Sequence, residues 1–100
     1  MTKKINEVFE QLKKMKPQAI ILFGSAAWGK PHKDSDLDVL MIKNTNKSFT
    51  DRVADVHLKL RTHFPVDVIV LTPKEAKKLP KENSFIKQIF EEGKLIYGGL

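Results

Sequence analysis

Ala19-Ile20-Ile21-Leu22-Phe23-Gly24-Ser25, then ten residues, then Asp36-Leu37-Asp38-Val39-Leu40-Met41-Ile42, is the stretch that decides the fold. The first five residues are wholly apolar and short, which predicts a strand buried on both faces. Gly24 ends it, and Ser25 to Lys30 reads as a short helix closed by Gly29, Lys30 and Pro31. His32 to Ser35 reads as a polar loop. Asp36 to Ile42 reads as a second strand, with Val39 to Ile42 as its apolar body.

Outward from that core the pattern alternates. Ile5, Val8, Phe9, Leu12 and Met15 recur at helical spacing, with Thr2 as a cap and Pro17 as a stop. Lys43 to Lys47 is a loop. Phe49, Val53, Val56 and Leu60 mark a helix of about four turns reaching about His63, with Ser48 and Asp51 as a capping pair. Val66 to Leu71 is a third strand. Thr72-Pro73-Lys74-Glu75 is a helix start, and Pro80 is expected to break that helix. Asn83 caps another helix with Phe85, Ile86, Ile89 and Phe90 on its apolar face. Gly93 ends it, and Lys94 to Tyr97 is a last strand. The order predicts a mixed α/β (α+β) domain: a small sheet of about four strands with helices packed on it.

The 100 residues leave room for one domain, 1–100. The 41% hydrophobic content excludes a disordered chain, and the longest apolar run is far too short to span a membrane. With no cysteine, disulfides and thiolate metal sites are excluded. A charged, amphipathic N-terminus predicts no secretion signal, so the expected location is cytoplasmic. The net charge of +6 would attract polyanions, but the lysines are spread over separate segments without interleaved aromatics. A solvated surface accounts for most of it.

Three features carry chemistry. A glycine turn leading into a serine at a helix start can bind an anion through exposed N–H groups, although such a serine alone is more often a cap. Asp36 and Asp38, two apart on a strand, would project from one face. Aspartate is disfavoured in strands and paired carboxylates repel, which a hard divalent cation would resolve. The alternative leaves Asp36 in the loop. Asp67, near the start of the third strand, joins them if the second and third strands are neighbours; otherwise it is an exposed strand-start residue.

Gly24-Ser25, ten residues, then Asp36-x-Asp38, with Asp67 beyond an intervening helix, resembles the signature of the polymerase-beta-type nucleotidyltransferase superfamily. The tail from Ser84 through Gly93 to Tyr97 is similar to the close of its minimal nucleotidyltransferase members. The resemblance implies the nucleotidyltransferase fold and a nucleotide site at Gly24, Ser25 and Ser35. It implies catalytic and metal-ligating roles for Asp36, Asp38 and Asp67, with two magnesium ions and ATP as donor. It also implies an acceptor supplied from outside: a HEPN-type helical protein in a toxin–antitoxin pair, a second copy of this chain in a homodimer, or a small molecule. Lys30, His32, Lys33, Arg52 and Lys59 are candidates for phosphate contact and Trp28 for stacking on a base, each more readily read as surface. His57 and His63 read as structural or exposed. The competing functions are a transferase acting on a protein, a non-catalytic nucleotide-binding antitoxin or regulatory subunit, an aminoglycoside-type transferase subunit, and a basic nucleic-acid-binding domain, the last least expected.

Overall fold

The computed structural model of the protein describes residues 3–24, 27 and 37–99. The described elements are α1 (Lys3–Lys13), β1 (Ala19–Phe23), β2 (Leu37–Ile42), α2 (Phe49–Lys59), β3 (Val66–Leu71), α3 (Pro73–Glu82), α4 (Ser84–Glu92) and β4 (Lys94–Gly98). The strands form one mixed sheet in the order β3-β2-β1-β4. β1 runs antiparallel to β2 and to β4, and β2 runs parallel to β3. A parallel neighbour needs a crossover connection, and α2 supplies it.

The sheet is apolar on both faces, so each face needs its own helical cover. Ile20, Leu22, Val39, Met41, Val68 and Val70 point one way and are sealed by Val8 and Leu12 of α1 and Val56 of α2. Ala19, Ile21, Phe23, Leu40, Ile42 and Leu71 point the other way and are sealed by Ile86 and Ile89 of α4, with Ala76 and Leu79 of α3 beside them. The strict alternation between the clusters is the two-residue period of a strand. The helix starts follow their sequence signals. The Ser48 hydroxyl accepts the Asp51 N–H at 3.3 Å. Thr72 and Glu75 form a reciprocal capping box, each side chain accepting the other's backbone N–H.

Some boundaries differ from the sequence pattern. α1 stops at Lys13 rather than running through Met15. Tight turns follow, from Met15 N–H to the Leu12 carbonyl and from Lys16 N–H to the Lys13 carbonyl, with Lys16 at φ 58°. α2 ends at Lys59, a turn short of His63. The reason is tertiary. The Gln11 side chain accepts the Arg61 N–H and donates to the Arg61 carbonyl, both at 2.6 Å. Those groups therefore have partners outside a helix. α3 is not broken by Pro80 but continues to Glu82. Proline sits there in the last turns, where its fixed φ is helical and the loss is local. The Asn83 N–H still closes the helix on the Leu79 carbonyl at 2.8 Å. Thr2 and the short helix read over residues 25–30 lie outside the described residues, apart from Ala27, whose N–H donates to the Gly24 carbonyl at 3.0 Å.

Candidate functional site

β2 and β3 pair in parallel with Asp38 opposite Asp67. Residues in register on neighbouring parallel strands share a face and stand about 4.8 Å apart. The two carboxylates are therefore side by side at the start of both strands, on the face that also carries Leu40, Ile69 and Leu71. Asp38 is half-buried and Asp67 exposed. Asp38 also pairs with Phe23 at the end of β1. This places Gly24 next to it.

Gly24 has φ +75°, a conformation that side chains rarely adopt. A Cβ built on Gly24 would run into Asp38 Oδ2 and lie 3.1 Å from Asp38 Cγ. The Asp38 carboxylate thus lies against the Gly24 backbone, and any larger residue would displace it. Three residues read from sequence, Gly24, Asp38 and Asp67, are brought together at one end of the sheet. Ser25, Ser35 and Asp36, with Trp28, Lys30, His32 and Lys33, lie outside the described residues.

Two aspartates in register on neighbouring strands suit a hard divalent cation such as magnesium, which takes oxygen ligands and keeps positions for phosphate. Among the described residues, no group of three or more His, Cys, Asp or Glu side chains could hold a metal ion. A third carboxylate would have to come from the segment holding Asp36.

Other side chains differ from expectation. Phe85, assigned by its spacing to the apolar face of α4, is 49% exposed. Its ring stands edge-on to Phe23, centroids 6.0 Å apart, so an aromatic surface borders the carboxylate end of the sheet. Helical periodicity had no way to show this, because it marks an apolar face without telling how deeply each residue on it is covered.

Arg52 and Lys59 are committed elsewhere. Arg52 donates to Glu75 Oε1 at 2.6 Å, to the Lys47 carbonyl at 2.7 Å and to the Val70 carbonyl at 3.3 Å. It is tied to the opposite ends of β2 and β3 from the aspartates. Partial burial would raise the Glu75 pKa, but the Thr72 N–H and Arg52 outweigh it and hold the carboxyl below its ordinary value. Lys59 pairs with Asp55 at 3.1 Å, and Lys47 pairs with the same carboxylate at 3.0 Å. Hydrogen bonds from Lys47 and Lys59 hold Asp55 below the usual carboxylate range. His57 is exposed, and His63 Nδ1 lies 3.2 Å from Glu7 Oε1 at the surface. Among the described residues no helix is long and apolar enough to cross a membrane.

A family model described as Polymerase beta, Nucleotidyltransferase matches residues 3–99. The chain belongs to that family. Within this nucleotidyltransferase family it is similar to a protein of Methanocaldococcus jannaschii named "putative protein adenylyltransferase". The two are 34% identical over 79 residues, 78% of this chain and 76% of the relative. It also resembles a crystal structure titled as a "putative nucleotidyltransferase" from Sulfolobus solfataricus. That match has a TM-score of 0.58 and 21% identity, covering 98% of this chain and 89% of the other. At that identity the likeness speaks for the fold: the α+β class expected from the order of elements, and the nucleotidyltransferase fold that the motif resemblance implies.

Proposed function

We propose that this chain is a magnesium-dependent adenylyltransferase that moves AMP from ATP onto a hydroxyl of a partner protein. We further propose that the partner is a HEPN-type helical protein and that this chain is the antitoxin of the pair, working in the cytoplasm. One observation carries the catalytic reading: Asp38 and Asp67 stand in register with the Asp38 carboxylate against Gly24. Family membership supports transfer chemistry. The name of the M. jannaschii relative supports a protein acceptor. The antitoxin role rests on the likeness of residues 84–97 to minimal members of the family.

In this reading Gly24, Ser25 and Ser35 hold the triphosphate. Asp36 and Asp38 would hold two magnesium ions and Asp67 one of them; the metal supplies charge neutralisation on the phosphates. Asp67 takes the proton from the acceptor hydroxyl. The hydroxyl oxygen then bonds to the α-phosphorus, the bond from that phosphorus to the bridging oxygen breaks, and pyrophosphate leaves. The protein contributes mainly position and electrostatics.

The test incubates the protein with ATP, magnesium and its co-purifying partner and seeks an adenylyl adduct by mass spectrometry. An adduct on a partner hydroxyl, lost with Asp38→Asn, is expected. A native protein that binds ATP yet leaves no adduct would overturn the catalytic reading. If an Asp36→Ala/Asp38→Ala variant then still neutralised the partner, contact alone would be the mechanism.

A further inference from the structure

The sheet face opposite the aspartates carries a groove that the proposed reaction does not use. One cavity of about 190 Å³ is lined by Lys43, Thr45, Lys47, Arg52, Asp55 and Lys59, together with Val56 and Val70. A second, of about 380 Å³, is lined by Gln11, Lys14, Met15 and Lys59. Lys59 lines both, so the two hollows adjoin at that side chain, one beside the end of α1 and the other beside the loop after β2. Val8 and Leu12 of α1 and Val56 of α2 cover this same face. Gln11 bridges α1 to the chain beyond α2 through Arg61.

The groove carries a positive excess. Lys14, Lys43, Lys47, Arg52 and Lys59 line it, and among the described residues Asp55, shared by Lys47 and Lys59, and Glu75, paired with Arg52, offset part of that charge. Among the described residues neither Lys14 nor Lys43 has a carboxylate partner. Lys47 and Lys59 stay half exposed, at 52% and 56%, even though both touch Asp55. Basic side chains concentrated in a concave site focus potential far more than the same charges spread over a convex surface.

We infer that this groove is a docking site for an acidic, apolar-bearing segment of a partner protein. Two features favour a polypeptide over a nucleic acid. Among the described residues no aromatic ring lines the groove, so they offer no stacking platform of the kind on which single-stranded bases rest. Its lining also includes the apolar Met15, Val56 and Val70, the two valines buried, which suits a segment that carries apolar side chains among its carboxylates. A segment held here leaves the Asp38–Asp67 face open. It would also raise the effective concentration of any hydroxyl on the same partner near that face. Docking does not depend on the transfer reaction, because it is read without nucleotide and can succeed or fail separately from it.

The experiment titrates the protein, without ATP or metal, against a fluorescein-labelled peptide alternating glutamate and leucine, and against a labelled single-stranded RNA. Lys43→Glu/Lys59→Glu reverses two charges in the groove. Lys78→Glu/Lys81→Glu makes the same change in net charge on α3, over the other face. Circular dichroism checks that both variants are folded, and Lys43→Gln/Lys59→Gln serves if the first is not. The expected result is peptide binding weakened at least about tenfold in the groove variant and within about twofold of native in the α3 variant. Absent peptide binding, or equal losses in both variants, overturns the proposal. RNA bound more tightly than peptide and lost with the groove variant overturns it in favour of a nucleic acid.

Discussion

The two ends of the β2–β3 pair treat charge in opposite ways. At the start of the strands two carboxylates, Asp38 and Asp67, stand side by side in register. At the far end, Arg52 and Glu75 meet at 2.6 Å, and Glu75 also completes the capping box with Thr72. One end sets like charges together, and the other joins unlike charges into a helix cap. Like charges directly opposite in a sheet cost stability, whereas a charge that is paired and bonded to backbone holds elements in place. On the proposed function the first end serves a ligand, while the bonds of the second serve the fold. A side chain at the first end should matter for function and one at the second for stability.

The largest test of that division is Asp38→Asn or Asp67→Asn, with adenylyl transfer measured by mass spectrometry. Each should lower the rate at least about a hundredfold, as loss of an electrostatic group at a reacting centre does. Neither should lower the melting temperature. A variant that unfolds would place the carboxylates among the structural groups and break the comparison. Next is Gly24→Ala, which adds both a positive-φ penalty and a collision with the Asp38 carboxylate. It should cost about 1–3 kcal/mol in urea unfolding and impair transfer as well. That double effect is expected only where a backbone position and the site coincide.

Arg52→Ala should cost about 1–3 kcal/mol, because it removes the guanidinium bonds to the Lys47 and Val70 carbonyls and leaves Glu75 with the Thr72 N–H but no cation. Nucleotide binding should be unchanged. The smallest effect is a pH dependence. The Glu75 pKa is lowered on folding, so its contribution is fully present above the ordinary glutamate value of about 4.3 and is lost as pH falls through the lower folded value. Native protein and Glu75→Gln should therefore differ in stability near neutral pH and converge in acid. A constant difference across that range would mean that Glu75 acts by packing alone.

Much of the carboxylate end was legible from residues, because its signals are local. The five-residue apolar run, the glycine after it, and the period-two patterns of β2 and β3 place Asp38 and Asp67 near the starts of their strands, and the β2–β3 pairing that the sequence leaves open puts them on one face. Ser48, Thr72 and Asn83 marked helix starts through side chains that bond within three residues. The far end was not legible. Arg52 and Glu75 lie 23 residues apart, and no spacing rule joins them. The same holds for Gln11, whose bonds to Arg61 close α2 early from 50 positions away. Pro80 misled because a general penalty was read as a boundary, whereas its effect depends on where in the helix it falls. Phe85 misled because periodicity reports a helix face and says nothing of how deeply each residue on it is covered.

Asn83 joins α3 to α4 with no loop between them. Its N–H closes the first helix on Leu79, its carbonyl accepts the Lys87 N–H, and its side chain accepts from Phe85 and Ile86. With every backbone group and its side-chain carbonyl engaged, this residue acts as a rigid elbow. The chain cannot lengthen there without swinging Phe85 away from Phe23. Growth of the scaffold by insertion is thereby steered to other junctions, such as the exposed turn between β2 and α2.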